Sequence, residues 1–111
     1  MDRAQFYKEV YSIIKEIPYG NVSTYGKIAQ LIGKPQCSRM VGQALSHAPE
    51  EQHLPCHRVV SSQGRLVPGW QKQKELLEKE GITFKPNGCV NMPKHLWDTT
   101  GSLTSTIGIS P

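Results

Sequence analysis

Cys56 stands in the run Leu54-Pro55-Cys56-His57-Arg58-Val59-Val60, which gathers more reactive chemistry than any other stretch of the chain. A thiol attacks as its thiolate, and neighbouring basic groups favour that form. His57 and Arg58 follow directly and Pro55 precedes. A carboxylate that orients the histidine would complete a nucleophile, base and orienter set, and Glu80, at a helix end, is one candidate among several. Most lone cysteines are small buried hydrophobes, and adjacency along the chain does not bring side chains together. The residues alone therefore reach a reactive cysteine. No oxyanion-hole segment is recognisable, which disfavours a cysteine hydrolase.

A second group could bind rather than react. Arg39 lies beside Ser38 at the start of a helical pattern, with Gly42 about one turn on. Small residues let a helix approach a nucleic-acid groove, and an arginine there can reach phosphates or enter the base stack. Tyr25 opens the preceding helix, with its ring half buried or its hydroxyl facing a phosphate.

The elements that must carry these residues read as follows. Phe6, Val10, Ile13 and Ile14 make the apolar stripe of an amphipathic helix over residues 3–16. Ile17-Pro18-Tyr19-Gly20 breaks it with turn chemistry. After the extended link Asn21-Val22-Ser23, either Ser23 or Thr24 can cap a second helix holding Ile28, Ala29, Leu31 and Ile32. Gly33 ends it in a left-handed cap. A third helix runs over residues 37–47 with Met40, Val41, Ala44 and Leu45 inward, so the pair reads as a helix-turn-helix. A polar loop over 48–53 leads to the Cys56 segment, then a turn at 61–64 and a short strand over 65–67. A helix over 70–80, anchored by Leu76 and Leu77, ends at Gly81, and residues 82–84 suggest another strand. Lys72, Lys74 and Lys79 alternate with Glu75, Glu78 and Glu80 as a solvated face.

The 111 residues suffice for one domain. This domain is placed at 1–98, with a disordered Ser-, Thr- and Gly-rich tail at 99–111. A net charge of +4 suits a polyanion partner. Cys37, Cys56 and Cys89 cannot all pair, and no close Cys-x-x-Cys spacing suggests zinc. No apolar run approaches the roughly 20 residues of a membrane span, and the first residues lack a signal-peptide core, so an intracellular protein is expected.

Three blocks resemble the O6-alkylguanine-DNA alkyltransferases between about Phe6 and Phe84. They are Ile17-Pro18-Tyr19-Gly20-Asn21-Val22-Ser23-Thr24-Tyr25-Gly26, Ser38-Arg39-Met40-Val41-Gly42, and the Cys56 run, the most specific of the three. The resemblance implies a mainly α winged helix-turn-helix domain with a small β element. It would bind the minor groove of double-stranded DNA and flip an O6-alkylguanine. The family's cysteine takes the alkyl group irreversibly. By position, Cys56 would be the acceptor, His57 its activator through a bound water, and Glu80 the orienter of His57. Arg39 would fill the gap left by the base, and Tyr25 would push on the target phosphate. Ser38, Gly42 and Thr24 complete the DNA-facing set, while Arg58 and Pro55 support the active-site loop. A monomer with no cofactor and no metal is implied.

Three departures accompany the match. The family's hinge asparagine, counted back from Cys56, is Ala48. The glycine- and tyrosine-rich loop over the flipped base shrinks to Arg65-Leu66-Val67-Pro68-Gly69-Trp70. The match leaves out the N-terminal domain of full-length transferases, with its zinc site. All three resemble the alkyltransferase-like proteins, which bind alkylated guanine in a roomier pocket and pass it to nucleotide excision repair. The run Val90-Asn91-Met92-Pro93-Lys94-His95-Leu96-Trp97 resembles theirs too, although most of them carry tryptophan or alanine at the position of Cys56. Transfer to Cys56 is thus the leading expectation. A non-enzymatic lesion sensor is the alternative, and a sequence-specific helix-turn-helix regulator the minor one.

Overall fold

The computed structural model describes residues 2–99. Its first helix, α1 (Arg3–Ile14), starts where the Asp2 carboxylate accepts the Gln5 N–H at 2.8 Å. Phe6, Val10 and Ile14 recur every four residues, so one face is buried throughout. The helix stops two residues short of the expected end. The Glu16 and Ile17 N–H groups turn back to Ile13 and Ile14 and tighten the exit toward Pro18.

Strand β1 (Ser23–Thr24) leads directly into α2 (Tyr25–Ile32). Of the two possible caps the structure uses Thr24, whose Oγ1 accepts the Lys27 N–H at 3.0 Å. Gly33, at φ 89°, closes the helix in the left-handed conformation expected of it. A single 3-10 turn (Pro35–Cys37) then feeds α3 (Ser38–Ser46), which ends at both sides about one residue inside the expected span. Substituting Thr24 by alanine should cost about 1 kcal/mol in a chemical-denaturation experiment, because the first turn of α2 loses its side-chain acceptor.

Strand β2 (Val59–Val60) pairs in parallel with β1, with Ser23 opposite Val59 and Thr24 opposite Val60. Parallel neighbours need a long crossover, and here α2 and α3 supply it. The helix-turn-helix is therefore pinned at both ends by the sheet. Successive strand residues face opposite sides. Accordingly Val59 packs with Phe6, Val10, Ile14, Ile17, Ile28, Ala29, Val41 and Ala44, while Val60 packs with Val22, Leu77, Ile82 and Val90. Met40 and Leu45 are only partly buried against the first cluster.

After β2 come α4 (Lys72–Lys79) and α5 (Met92–His95). Leu77 anchors α4 as expected, but Leu76 is only half buried and faces a cavity described below. Two expected strands do not form. The Val67 N–H at 65–67 is taken by the Gln73 side chain, leaving that segment without a strand partner. At 82–84 the pairing is one antiparallel bridge, Phe84 with Val90, closed by a tight turn in which Lys85 donates to Cys89 O. Helix α5 has no apolar periodicity to announce it. Its His95 carbonyl accepts the Val22 N–H at 3.0 Å and so fastens this segment to the start of β1. Of the expected tail, residues 100–111 lie outside the described residues; Thr99 itself is 5% exposed. No helix among the described residues is long and apolar enough to cross a membrane.

Candidate active site and nucleic-acid interface

Cys56 opens a single 3-10 turn, Cys56–Arg58, that runs straight into β2. Pro55 shapes the entry: Cys56 N–H reaches back to Leu54 O at 2.8 Å, and Arg58 N–H bonds Pro55 O at 3.0 Å. The tightness of this turn sends consecutive side chains in different directions. Cys56 faces a cavity of about 540 Å³, while His57 and Arg58 converge on Glu80.

Glu80 caps the C-terminal end of α4, and its side chain is 5% exposed. His57 Nε2 lies 2.6 Å from Oε2, and Arg58 Nε donates at 2.9 Å to Oε1 and 3.0 Å to Oε2. The Gly20 N–H adds a fourth contact at 2.9 Å. Burial pushes the Glu80 carboxyl upward, but the bonds from Arg58, Gly20 and His57 outweigh it and hold it below the usual carboxylate range. Glu80 is thus no part of the solvated face of α4 expected from its charge pattern. An ionised carboxylate only accepts, so the proton of neutral His57 sits on Nε2 and Nδ1 keeps its lone pair.

The Ile17-Pro18-Tyr19-Gly20 turn holds this cluster from the other side. Arg58 Nη1 donates to Ile17 O at 2.9 Å, and its guanidinium lies 5.6 Å from the centre of the Tyr19 ring. Tyr19 in turn donates its hydroxyl to Lys79 O at 2.8 Å. Arg58 thus links the Ile17–Gly20 turn to Glu80.

The thiol departs from expectation. Burial pushes the Cys56 thiol up, and the bond to its own backbone offsets this only in part. The adjacent basic residues are not among the causes that act on it; both side chains bond Glu80 instead.

Tyr25, Gly42, Leu45, Ala48, Leu54, Val67, Trp70 and Leu76 are among the residues that wall the cavity. The volume falls within the roughly 300–1,000 Å³ of small-molecule pockets, and the walls are mainly apolar and aromatic. Ala48, at the position of the family's hinge asparagine, forms part of this wall, as does Trp70 from the shortened loop. Leu54 and Leu76 carry no sequence signal for this wall, since an apolar residue looks the same whether it faces a core or a cavity.

The residues expected to face DNA lie at the start of α2 and along α3. Tyr25 is half buried, and its ring edge packs by Gly42, 4.0 Å from where a Cβ there would stand. A small residue at 42 leaves the cavity open beside the ring. Ser38 and Arg39 begin α3, Arg39 exposed to solvent. Thr24 is occupied as the cap of α2.

A parallel strand pair bridged by a helix-turn-helix, with a cysteine, a histidine and a carboxylate beside an apolar cavity, defines a winged helix-turn-helix domain of the alkylguanine-repair class. Residues 5–82 match the family described as 6-O-methylguanine DNA methyltransferase, DNA binding domain, and the chain belongs to it. It is 42% identical over 102 residues to alkyltransferase-like protein 1 of Schizosaccharomyces pombe, covering 84% of this chain and 94% of that one. A methylated-DNA–protein-cysteine methyltransferase of Methanosarcina acetivorans is 44% identical over 80 residues, 69% of this chain and 51% of that protein. Among solved structures, S. pombe Atl1 in complex with damaged DNA containing O6-carboxymethylguanine superposes with a TM-score of 0.77. The identity is 40%, over 88% of this chain and 99% of that one.

Proposed function

We propose that the protein recognises O6-alkylguanine in double-stranded DNA, flips it into the cavity and takes the alkyl group onto Cys56. The observation that carries this reading is the cysteine on the cavity wall with the His57–Glu80 pair assembled immediately behind it. Helix α3 would lie in the minor groove, with Ser38 and Gly42 allowing close approach. Tyr25 would press on the phosphate of the flipped nucleotide. Flipping costs a few kcal/mol, which an inserted Arg39 and phosphate contacts offset.

In the transfer, the Cys56 proton passes through a bridging water to His57 Nδ1, and Glu80 stabilises the resulting imidazolium. The thiolate attacks the alkyl carbon, an S–C bond forms, and the C–O6 bond breaks. The departing guanine takes back one proton, leaving the base repaired and Cys56 as a thioether. Nothing regenerates the thiol, so the reaction is a single turnover by a methylated-DNA–protein-cysteine methyltransferase. Intact-protein mass spectrometry after incubation with O6-methylguanine DNA tests it directly.

Two observations favour a second reading, a lesion sensor that holds the base for nucleotide excision repair proteins. Burial raises the Cys56 thiol, and the relative matched along 94% of its length is an alkyltransferase-like protein. Both readings require the arginine. Arg39→Ala should weaken binding to lesion-containing duplex by about 2 kcal/mol, or roughly thirtyfold, as a buried anchor residue does. Unchanged affinity in a fluorescence-anisotropy titration would remove Arg39 from the insertion role.

A further inference from the structure

Gln73 is a large polar side chain sealed completely inside the second half of the domain. It sits in the first turn of α4 at 0% exposure, among residues whose neighbours Lys72 and Lys74 are exposed. All three of its bonds leave its own helix. Its Nε2 donates to His57 O at 3.1 Å and to Val59 O at 3.2 Å, and its Oε1 accepts the Val67 N–H at 2.7 Å. The partners fix the amide orientation, since carbonyls must meet the NH2 and the N–H must meet the oxygen.

These bonds join two segments on either side of the cavity. His57 belongs to the turn that presents Cys56, Val59 begins β2 directly after it, and Val67 is part of the 65–70 segment, which lends Val67 and Trp70 to the cavity wall. This segment is passed on to α4 by two more bonds, Trp70 N–H to Val67 O and Gln73 N–H to Trp70 O, each at 3.2 Å. One amide therefore ties the Cys56 turn to this second segment of the cavity wall. No other side chain of this length both donates twice and accepts once without charge.

We infer that Gln73 is a positioning residue, which registers the 65–70 segment against the Cys56–His57 turn and so sets the protein's preference for lesion over undamaged DNA. The inference rests on the proposed function for its substrate, and on the geometry alone for its effect on Cys56. Gln73 does not touch the DNA-facing residues, so affinity for undamaged duplex is set elsewhere, at Arg39 and its neighbours.

Two variants separate positioning from simple stability. Gln73→Glu keeps the acceptor for Val67 but turns an oxygen toward the two carbonyls. Once protonated, the carboxyl can donate again. Gln73→Met keeps the bulk and removes every bond. Kd would be measured for one duplex with and without O6-methylguanine, near neutral pH and in mild acid. The parent at the same pH serves as reference. Melting temperatures would be taken alongside.

At neutral pH the lesion preference should fall at least roughly tenfold in both variants, because buried polar groups are left unpaired. In acid it should recover in Gln73→Glu and not in Gln73→Met. An undiminished preference in Gln73→Met overturns the inference. So does an equal loss in both variants that follows melting temperature and ignores pH. A parent without any lesion preference would defeat the proposed function and leave Gln73 to a second readout. This is the rate of Cys56 alkylation by iodoacetamide, mapped by peptide. It should differ from the parent in Gln73→Glu at neutral pH and return in acid. An unaltered rate there also overturns the inference.

Discussion

Incubated for hours with an excess of duplex carrying O6-methylguanine, the protein should gain one methyl group, and peptide mapping should place it on Cys56. Cys37 and Cys89 should stay unmodified, since neither lines the cavity nor neighbours the His57–Glu80 pair. Cys56→Ala should end transfer while lesion binding persists, because alanine removes the acceptor and leaves the apolar walls in place. The long incubation has a physical reason. The buried thiol rests protonated, so each transfer waits on removal of the proton through His57. A flipped base held about 1 Å from its reacting position would also cost on the order of a hundredfold in rate. Protein that stays unmodified yet holds the lesion tightly would overturn transfer in favour of the sensor.

The largest effect on the scaffold should come from Glu80→Gln. The substitution is nearly isosteric, but it leaves the Arg58 guanidinium, 16% exposed in its side chain, without a counter-charge. Breaking a buried pair from one side costs about 3 kcal/mol or more, a drop in melting temperature on the order of 10 °C in a domain of this size. Transfer should slow by about 10²-fold as well, because an amide no longer stabilises the imidazolium.

The pH dependence has a definite sign. The folded carboxyl is held below its unfolded value, so the unfolded chain binds more protons in acid. The stabilisation is complete above the ordinary carboxylate range and fades as pH falls through the folded value. Melting curves from about pH 7 down to about pH 3 should show a steep acid loss in the parent that is shallower in Glu80→Gln. Parallel curves for the two proteins would mean that Glu80 carries no such linkage.

Much of this arrangement was legible in the chain. The spacing of Phe6, Val10 and Ile14 gave one helix, and Thr24 and Gly33 bounded another, because caps and periodicity are local properties. The Cys56 run set a cysteine and a histidine side by side, and both line the cavity. Helix α5 escaped notice, since four residues with a proline carry no period and are held by a contact to Val22 far along the chain. The strand expected at 65–67 failed for a related reason. Its Val67 N–H found a side chain rather than a neighbouring strand.

The sequence by itself determined the Cys56-His57-Arg58 run, the helix-turn-helix and the arginine near the start of its second helix, since each is written in residues a few places apart. Tertiary structure alone decided the electrostatics and shape of the site. It tied His57 Nε2 and Arg58 Nε to Glu80, more than 20 positions on, while burial, against the expected lowering, pushed the Cys56 thiol up. It sorted Leu76 from Leu77, putting one on the cavity wall and the other in the core, although the two are neighbours of the same type. It buried Gln73 in the middle of a charged helix face. Local sequence records which groups a segment offers; how long-range packing excludes water and which distant partner each group meets are settled only when the segments close on one another.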